Sequence, residues 1–79
     1  MKYVYMLQSL DFPDRQYVGA AHDLKRRVNA HNAGESFHTK KFKPWKLIGY
    51  VAFADDRKAD SFEQYLKTGS GRAFSKRHF

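Results

Sequence analysis

Three side chains combine a reactive type with a telling position: Arg27, His31 and Glu63. Arg27 and His31 stand one helical turn apart, so on a helix they share a side, with Leu24 and Val28 as apolar neighbours. A guanidinium set beside that apolar face is expected to be partly desolvated and to seek a bidentate oxyanion, carboxylate or phosphate. It could equally snorkel to water or pair with Glu63. His31 adds a ring that titrates near neutral pH. A histidine at the edge of a core, with its ring satisfied, would have the same spacing. Glu63 follows Phe62 at the edge of a second apolar stripe. It suits a surface carboxylate, a partner for Lys67 at i+4, or a ligand for a hard cation. Magnesium needs only one or two protein carboxylates, because it keeps several waters and accepts phosphate oxygens.

Tyr5 and Tyr17 lie in two aromatic-rich segments that read as strands, where a tyrosine ordinarily packs and leaves its hydroxyl wet. Gly19 is more informative than either. A glycine inside a strand pattern marks a bulge or a close backbone approach, and both open room beside a tyrosine. Other site types are excluded. Cysteine is absent, which removes disulfides, thiol nucleophiles and thiolate metal sites. Gly69-Ser70-Gly71-Arg72 has neither the preceding strand nor the following Lys-Ser/Thr of a phosphate-binding loop. No histidine pair has zinc spacing with a third ligand nearby, and no serine sits in a nucleophile elbow.

The elements that must position these residues follow from the pattern. Tyr3 to Leu10 and Gln16 to Ala20 read as an antiparallel hairpin joined through Asp11-Phe12-Pro13-Asp14. Asp23 to Ala33 reads as a helix, with Asp23 as its cap and Asn32-Ala33-Gly34 as its stop. Glu35 to Lys46 reads as a basic loop. Leu47 to Ala54 is an apolar run that suits a central strand buried on both faces. A second helix is expected from Arg57 to Thr68, capped by Asp55 or Asp56 and ended by Gly69-Ser70-Gly71. The basic tail from Arg72 to Phe79, with Phe74 and Phe79 as anchors, leaves room for a short third helix. The order β-β-α-β-α predicts an α+β fold, a three-stranded mostly antiparallel sheet flanked by helices.

Length and composition set the frame. A chain of 79 residues is expected to hold one domain, residues 1–79, of marginal stability. It is 42% hydrophobic and 16% aromatic, too apolar for a disordered basic tail. No signal peptide and no membrane-length apolar run is seen, so a cytoplasmic protein without a membrane role is expected. Fifteen Lys+Arg against eight Asp+Glu give a net charge of +7. That balance points to a polyanionic partner, nucleic acid first, unless it serves solubility alone.

In this order the residues resemble the GIY-YIG nuclease superfamily. Tyr3-Val4-Tyr5 and Tyr17-Val18-Gly19 are similar to its two signature tripeptides. Asp23 to Asn32 resembles the stretch with its essential arginine, and Thr39-Lys40-Lys41 with Lys43 to Leu47 the segment before the third strand. Ala59 to Lys67, with Glu63 at its centre, resembles the metal-binding helix. The likeness spans residues 3 to 67 and is greatest to small stand-alone bacterial members. It implies metal-dependent hydrolysis of phosphodiester bonds in DNA with one Mg²⁺ or Mn²⁺. Tyr17 would act as general base or hold the attacking water, and Tyr5 would position water or phosphate. Arg27 would stabilise charge developing on phosphate oxygens. His31 would assist proton transfer or hold Tyr17, and Glu63 would bind the metal. A free phenol ionises near pH 10, so a tyrosine base needs the neighbouring positive charge that this cluster supplies.

Two departures stand out: Tyr3 occupies the place of the name-giving glycine, and Thr68 to Phe79 contains no asparagine, which the family often has after the glutamate helix. Lys40, Lys41, Lys43, Lys67 and Arg72 are the cations expected to meet DNA. With no further binding domain expected beyond Phe79, affinity should be salt-sensitive and weakly specific, and a protein partner could supply specificity. The alternative readings are a weak or inactive nucleic-acid-binding module of the same fold and an interaction protein for an acidic partner.

Overall fold

The computed structural model describes all 79 residues, Met1–Phe79. Its elements are β1 (Lys2–Ser9), β2 (Gln16–Ala21), α1 (Leu24–Asn32), β3 (Trp45–Phe53), α2 (Asp56–Leu66) and α3 (Gly69–His78). The strands form one antiparallel sheet in the order β2-β1-β3. The α+β architecture is therefore as expected, and the basic tail does form the third helix.

The central strand is β1. Its residues Val4, Tyr5, Met6 and Leu7 are each at most 1% exposed, so both faces of the strand are covered. The apolar run of β3 does not take that place; β3 is an edge strand, with Leu47 38% and Tyr50 51% exposed. An apolar run permits burial on both faces but does not supply the second layer. Here α1 has nine residues, a length of roughly 14 Å, and covers only part of the sheet.

Alternation along β1 divides the core in two. Val4 and Met6 pack with Ala59 and Leu66, joined by Phe62 and Phe74, so α2 and α3 cover one face. Tyr5 and Leu7 pack with Ala21 and Trp45, joined by Tyr17, Leu24 and Val28, so α1 covers the other.

The helix starts follow from side-chain caps. Asp23 accepts from the Arg26 N–H at 3.1 Å, and Asp55 accepts from the Arg57 N–H at 2.8 Å. Gly69-Ser70-Gly71 does not end α2 as expected; it opens α3. Thr68 makes that start, donating its hydroxyl to the Tyr65 carbonyl at 2.6 Å and accepting from the Gly71 N–H at 3.1 Å. A Cβ on Gly71 would collide with the Tyr65 carbonyl, so this crossing of α2 and α3 needs glycine. The segment between α1 and β3 is a loop with one 3₁₀ turn, Lys40–Phe42. No helix is long and apolar enough to cross a membrane.

Candidate active site

Tyr5 comes from the middle of the central strand and faces α1. Opposite it in the β1–β2 pairing stands Gly19. A Cβ there would collide with the Tyr5 hydroxyl and press on the Tyr17 ring, so the glycine is the close approach its place in the strand predicts. Tyr17 pairs with Leu7 on the same face, and its ring centroid lies 6.4 Å from that of Tyr5. The last turn of α1 brings in His31, whose ring centroid is 5.8 Å from Tyr5 and 5.0 Å from Tyr17. Asn32 fixes that end of the helix, accepting from the Trp45 N–H at 2.5 Å and donating to the Trp45 carbonyl at 3.0 Å.

His31 is 2% exposed and has both ring nitrogens engaged. Its Nε2 lies 2.8 Å from the Tyr5 hydroxyl, and its Nδ1 lies 2.6 Å from the Thr39 hydroxyl. Thr39 is fully buried, and its carbonyl accepts from Trp45 Nε1 at 2.8 Å. A neutral imidazole has one donor nitrogen and one acceptor. The chain of bonds therefore has two directions. Either Tyr5 donates to Nε2 and Nδ1–H donates to Thr39, or Thr39 donates to Nδ1 and Nε2–H donates to Tyr5.

Burial pushes the Tyr5 phenol well above the ordinary tyrosine range. Tyr17 adds to that shift, the positive charge of Arg27 opposes it, and the negative charge of Glu63 reinforces it. Burial, and then Arg27, push His31 below the usual imidazole value. Both members of the bonded pair are thus held neutral at neutral pH.

Of the settings open to Arg27, the structure shows the one in which it snorkels to water. It is exposed, and no carboxylate, Glu63 included, lies within salt-bridge distance. The long side chain carries its head past the apolar stripe into water. Together with His31, Arg26 and Ser36 it lines an open cleft of about 600 Å³. Its charge reaches both Tyr5 and His31 from there.

Glu63 approaches from the other side of the sheet, on α2, which lies against β1 and β2. Its side chain is 18% exposed; Oε2 is 3.5 Å from Lys67 Nζ, and Oε1 accepts from Gln64 Nε2 at 3.0 Å. The structure thus brings Tyr5, Tyr17 and His31 into contact, sets Arg27 at the cleft, and puts Glu63 within electrostatic reach of Tyr5 without direct contact. No three metal-ligating side chains cluster anywhere. A lone, partly shielded carboxylate is the donor set that suits a hard cation completed by water and phosphate.

The five cations do not form one patch. Lys40, Lys41 and Lys43 are exposed on the loop after α1, whereas Lys67 and Arg72 are exposed near the α2–α3 corner across the sheet. Thr39 is the site residue that sequence reasoning does not mark. Its role depends on a loop returning to α1, and the only local signal is a hydroxyl residue placed before Lys40-Lys41.

Comparison with known proteins places the chain in a family. The family described as the GIY-YIG catalytic domain matches residues 1–77. A UPF0213 protein of Clostridium perfringens is 37% identical over 68 residues, covering 85% of this chain and 71% of that protein. A UPF0213 protein of Streptococcus pneumoniae is 36% identical over 66 residues, covering 82% of this chain and 65% of its own. The structure-specific endonuclease subunit SLX1 of Candida dubliniensis is 35% identical over 82 residues; the match takes in 95% of this chain but only 27% of SLX1, so the chain spans about a quarter of that subunit's length. Because the family match runs through all three strands and both site-bearing helices, the chain belongs to the GIY-YIG catalytic domain family.

Proposed function

We propose that residues 1–79 act as one domain, a divalent-metal-dependent endonuclease hydrolysing phosphodiester bonds in DNA. The observation that carries this reading is the buried Tyr5–His31–Thr39 hydrogen-bond chain, with Tyr17 packed on the imidazole and an unpaired Arg27 beside it. The likeness to a protein named as a structure-specific endonuclease subunit supports the same chemistry. The word subunit in that name also favours a protein partner that supplies specificity.

In this reading Tyr17 holds the attacking water as general base. Tyr5, kept protonated by burial, is no base; it offers a fixed hydroxyl that orients the water or the scissile phosphate. His31 fixes the Tyr5 hydroxyl by a hydrogen bond and the Tyr17 ring by contact. Arg27, free of any carboxylate, meets the phosphate oxygens as charge builds on them. Glu63 would hold Mg²⁺ or Mn²⁺, which when bound supplies a Lewis acid that stabilises the leaving oxygen. Lys40, Lys41, Lys43, Lys67 and Arg72 would meet the DNA backbone on either side.

The test is cleavage of duplex, single-stranded and branched DNA with Mg²⁺ or Mn²⁺ against EDTA, comparing the wild type with Glu63→Ala. Metal-dependent cutting that falls at least about 100-fold in Glu63→Ala is expected. Metal-indifferent binding without cutting by a folded wild type would replace the enzyme with a binding module of the same fold.

A further inference from the structure

Phe37 is 78% exposed, more than any other large apolar side chain of the protein. It does not hang on a loose segment. The N–H groups of Thr39 and Lys40 both donate to the Ser36 carbonyl, at 3.2 and 3.0 Å, closing a turn around Phe37 and His38. Thr39, two residues on, is locked by His31 and by Trp45. The ring is therefore held out in water by an ordered turn, and the core makes no use of it. Lys40 Nζ lies 5.2 Å from the ring centroid, and the His38 ring meets it edge-on at 5.8 Å. From Ser36 to Pro44 the loop has Lys40, Lys41 and Lys43 and no acidic residue. Ser36, next to Phe37, lines the same cleft as Arg27 and His31.

We propose that Phe37 is a stacking platform for an unpaired nucleobase, so that this loop selects DNA in which a base has left the duplex stack beside the site of cutting. An aromatic face flanked by cations is the chemistry that binds single-stranded nucleic acid: the ring stacks on a base of any sequence, and the ammonium groups meet the neighbouring phosphates. In a paired duplex each base face is covered by its neighbours and offers Phe37 nothing. Lysines alone would bind both forms by charge and would not favour the unpaired one, because the duplex has the higher charge density. An apolar protein partner would be poorly matched by a turn whose exposed ring has the Lys40 ammonium against it and two further lysines within the next six residues. The inference rests on the reading of the chain as a DNA-binding nuclease and adds the class of substrate.

The experiment measures binding in EDTA, so that no cutting intervenes. Fluorescence anisotropy compares a labelled 16-nucleotide thymidine strand with a GC-clamped duplex, for wild type, Phe37→Ala, Phe37→Trp and Lys40→Gln. Phe37→Ala should bind the single strand about tenfold more weakly and the duplex within about twofold of wild type. Phe37→Trp should restore single-strand affinity, and its indole emission should be quenched by the single strand and not by the duplex. Lys40→Gln should weaken both. Equal loss on both DNAs in Phe37→Ala, no loss on either, or no binding of either DNA by the wild type would overturn the proposal. Cleavage of the same two DNAs in Mg²⁺ separates the two readings. Cutting that is indifferent to Phe37→Ala leaves the nuclease standing without this platform, and Phe37-dependent binding without cutting leaves the platform standing without the nuclease.

Discussion

The two faces of β1 are built on different principles. On one, Val4 and Met6 meet Ala59, Leu66, Phe62 and Phe74 as a cluster of apolar side chains. On the other, Tyr5 meets His31, and His31 meets Thr39, as a line of buried polar atoms joined by hydrogen bonds. Every buried side-chain polar atom in the protein has a partner. The apolar face stabilises by area removed from water and loses stability in proportion to what is deleted. The polar face is stable only while complete, because one missing partner leaves the others buried and unbonded, at about 1–3 kcal/mol each. That difference bears on function. A packed hydrocarbon face fixes a helix against a sheet, whereas a bonded face fixes the direction of a single hydroxyl and the tautomer of a single ring.

The largest effect should fall on chemistry alone. Tyr17 touches the polar face with its ring, and its hydroxyl enters no hydrogen bond with the protein. Tyr17→Phe is expected to slow DNA cleavage by about 10²–10³-fold, within the range for loss of a general base, while its thermal midpoint stays within about 2 °C of wild type. A near-normal rate would remove Tyr17 from the proposed mechanism. The apolar face should give the mirror image. Leu66→Ala is expected to cost about 3 kcal/mol of stability, which in a domain of this size lowers the midpoint by roughly 15 °C. At a temperature where the variant remains folded, its cleavage rate should match wild type. A variant that lost activity without losing stability would show that the two faces are not separable.

This contrast also explains what the sequence made legible. The hairpin, α1, α2 and the aspartate caps of these two helices follow from local pattern, and so does the clearance at Gly19. Tyr5, Tyr17 and His31 come together because each lies on a regular element whose period sets its direction. Misreadings arise where the outcome depends on how elements pack against one another and not on the pattern within one of them. The run Leu47–Ala54 suits a central strand, but strand order depends on which helix covers which face, and β1 has the stronger claim through Val4–Leu7. Gly69-Ser70-Gly71 reads as a stop, yet its glycine serves the crossing of α3 over the Tyr65 carbonyl. Arg27 is no misreading: its spacing leaves desolvation and escape to solvent equally open, and the fold decides for solvent. Thr39 gives no periodic signal at all, since its bond to His31 exists only once the loop has closed.

Thr39 is also where the polar face can be opened with least change of shape. Thr39→Val keeps the volume and removes the hydroxyl, leaving His31 Nδ1 buried without its partner. The expected cost is about 1–2 kcal/mol of stability, read by urea denaturation. Cleavage is expected to fall about tenfold as the imidazole loses its fixed tautomer. Thr39→Ser, which keeps the oxygen, should restore most of both. If Val and Ser behave alike, the bond to Nδ1 contributes nothing and the polar face reduces to packing.

The smallest effect is the pH dependence of stability, and the sign differs for the two bonded groups. His31 has its folded value below the ordinary imidazole value of about 6.5. Between those two values the unfolded chain binds more protons, so the stability from a neutral His31 is complete above about pH 6.5 and is lost as pH falls toward the folded value. Tyr5 has its folded value above the ordinary phenol value of about 10. Its contribution is complete below about pH 10 and is lost as pH rises above it, because the unfolded chain releases the proton first. The bonded pair therefore predicts a plateau in thermal stability from about pH 6.5 to 10 with a decline on each side. Tyr5→Phe should be less stable throughout, yet its alkaline decline should be shallower than that of wild type while the acid decline persists. The Lys2–Asp60 pair, with Lys2 raised by its hydrogen bond to Asp60, weakens in the same alkaline range. An alkaline limb unchanged by Tyr5→Phe would assign it to that surface pair, and the polar face would then be sensitive to acid alone.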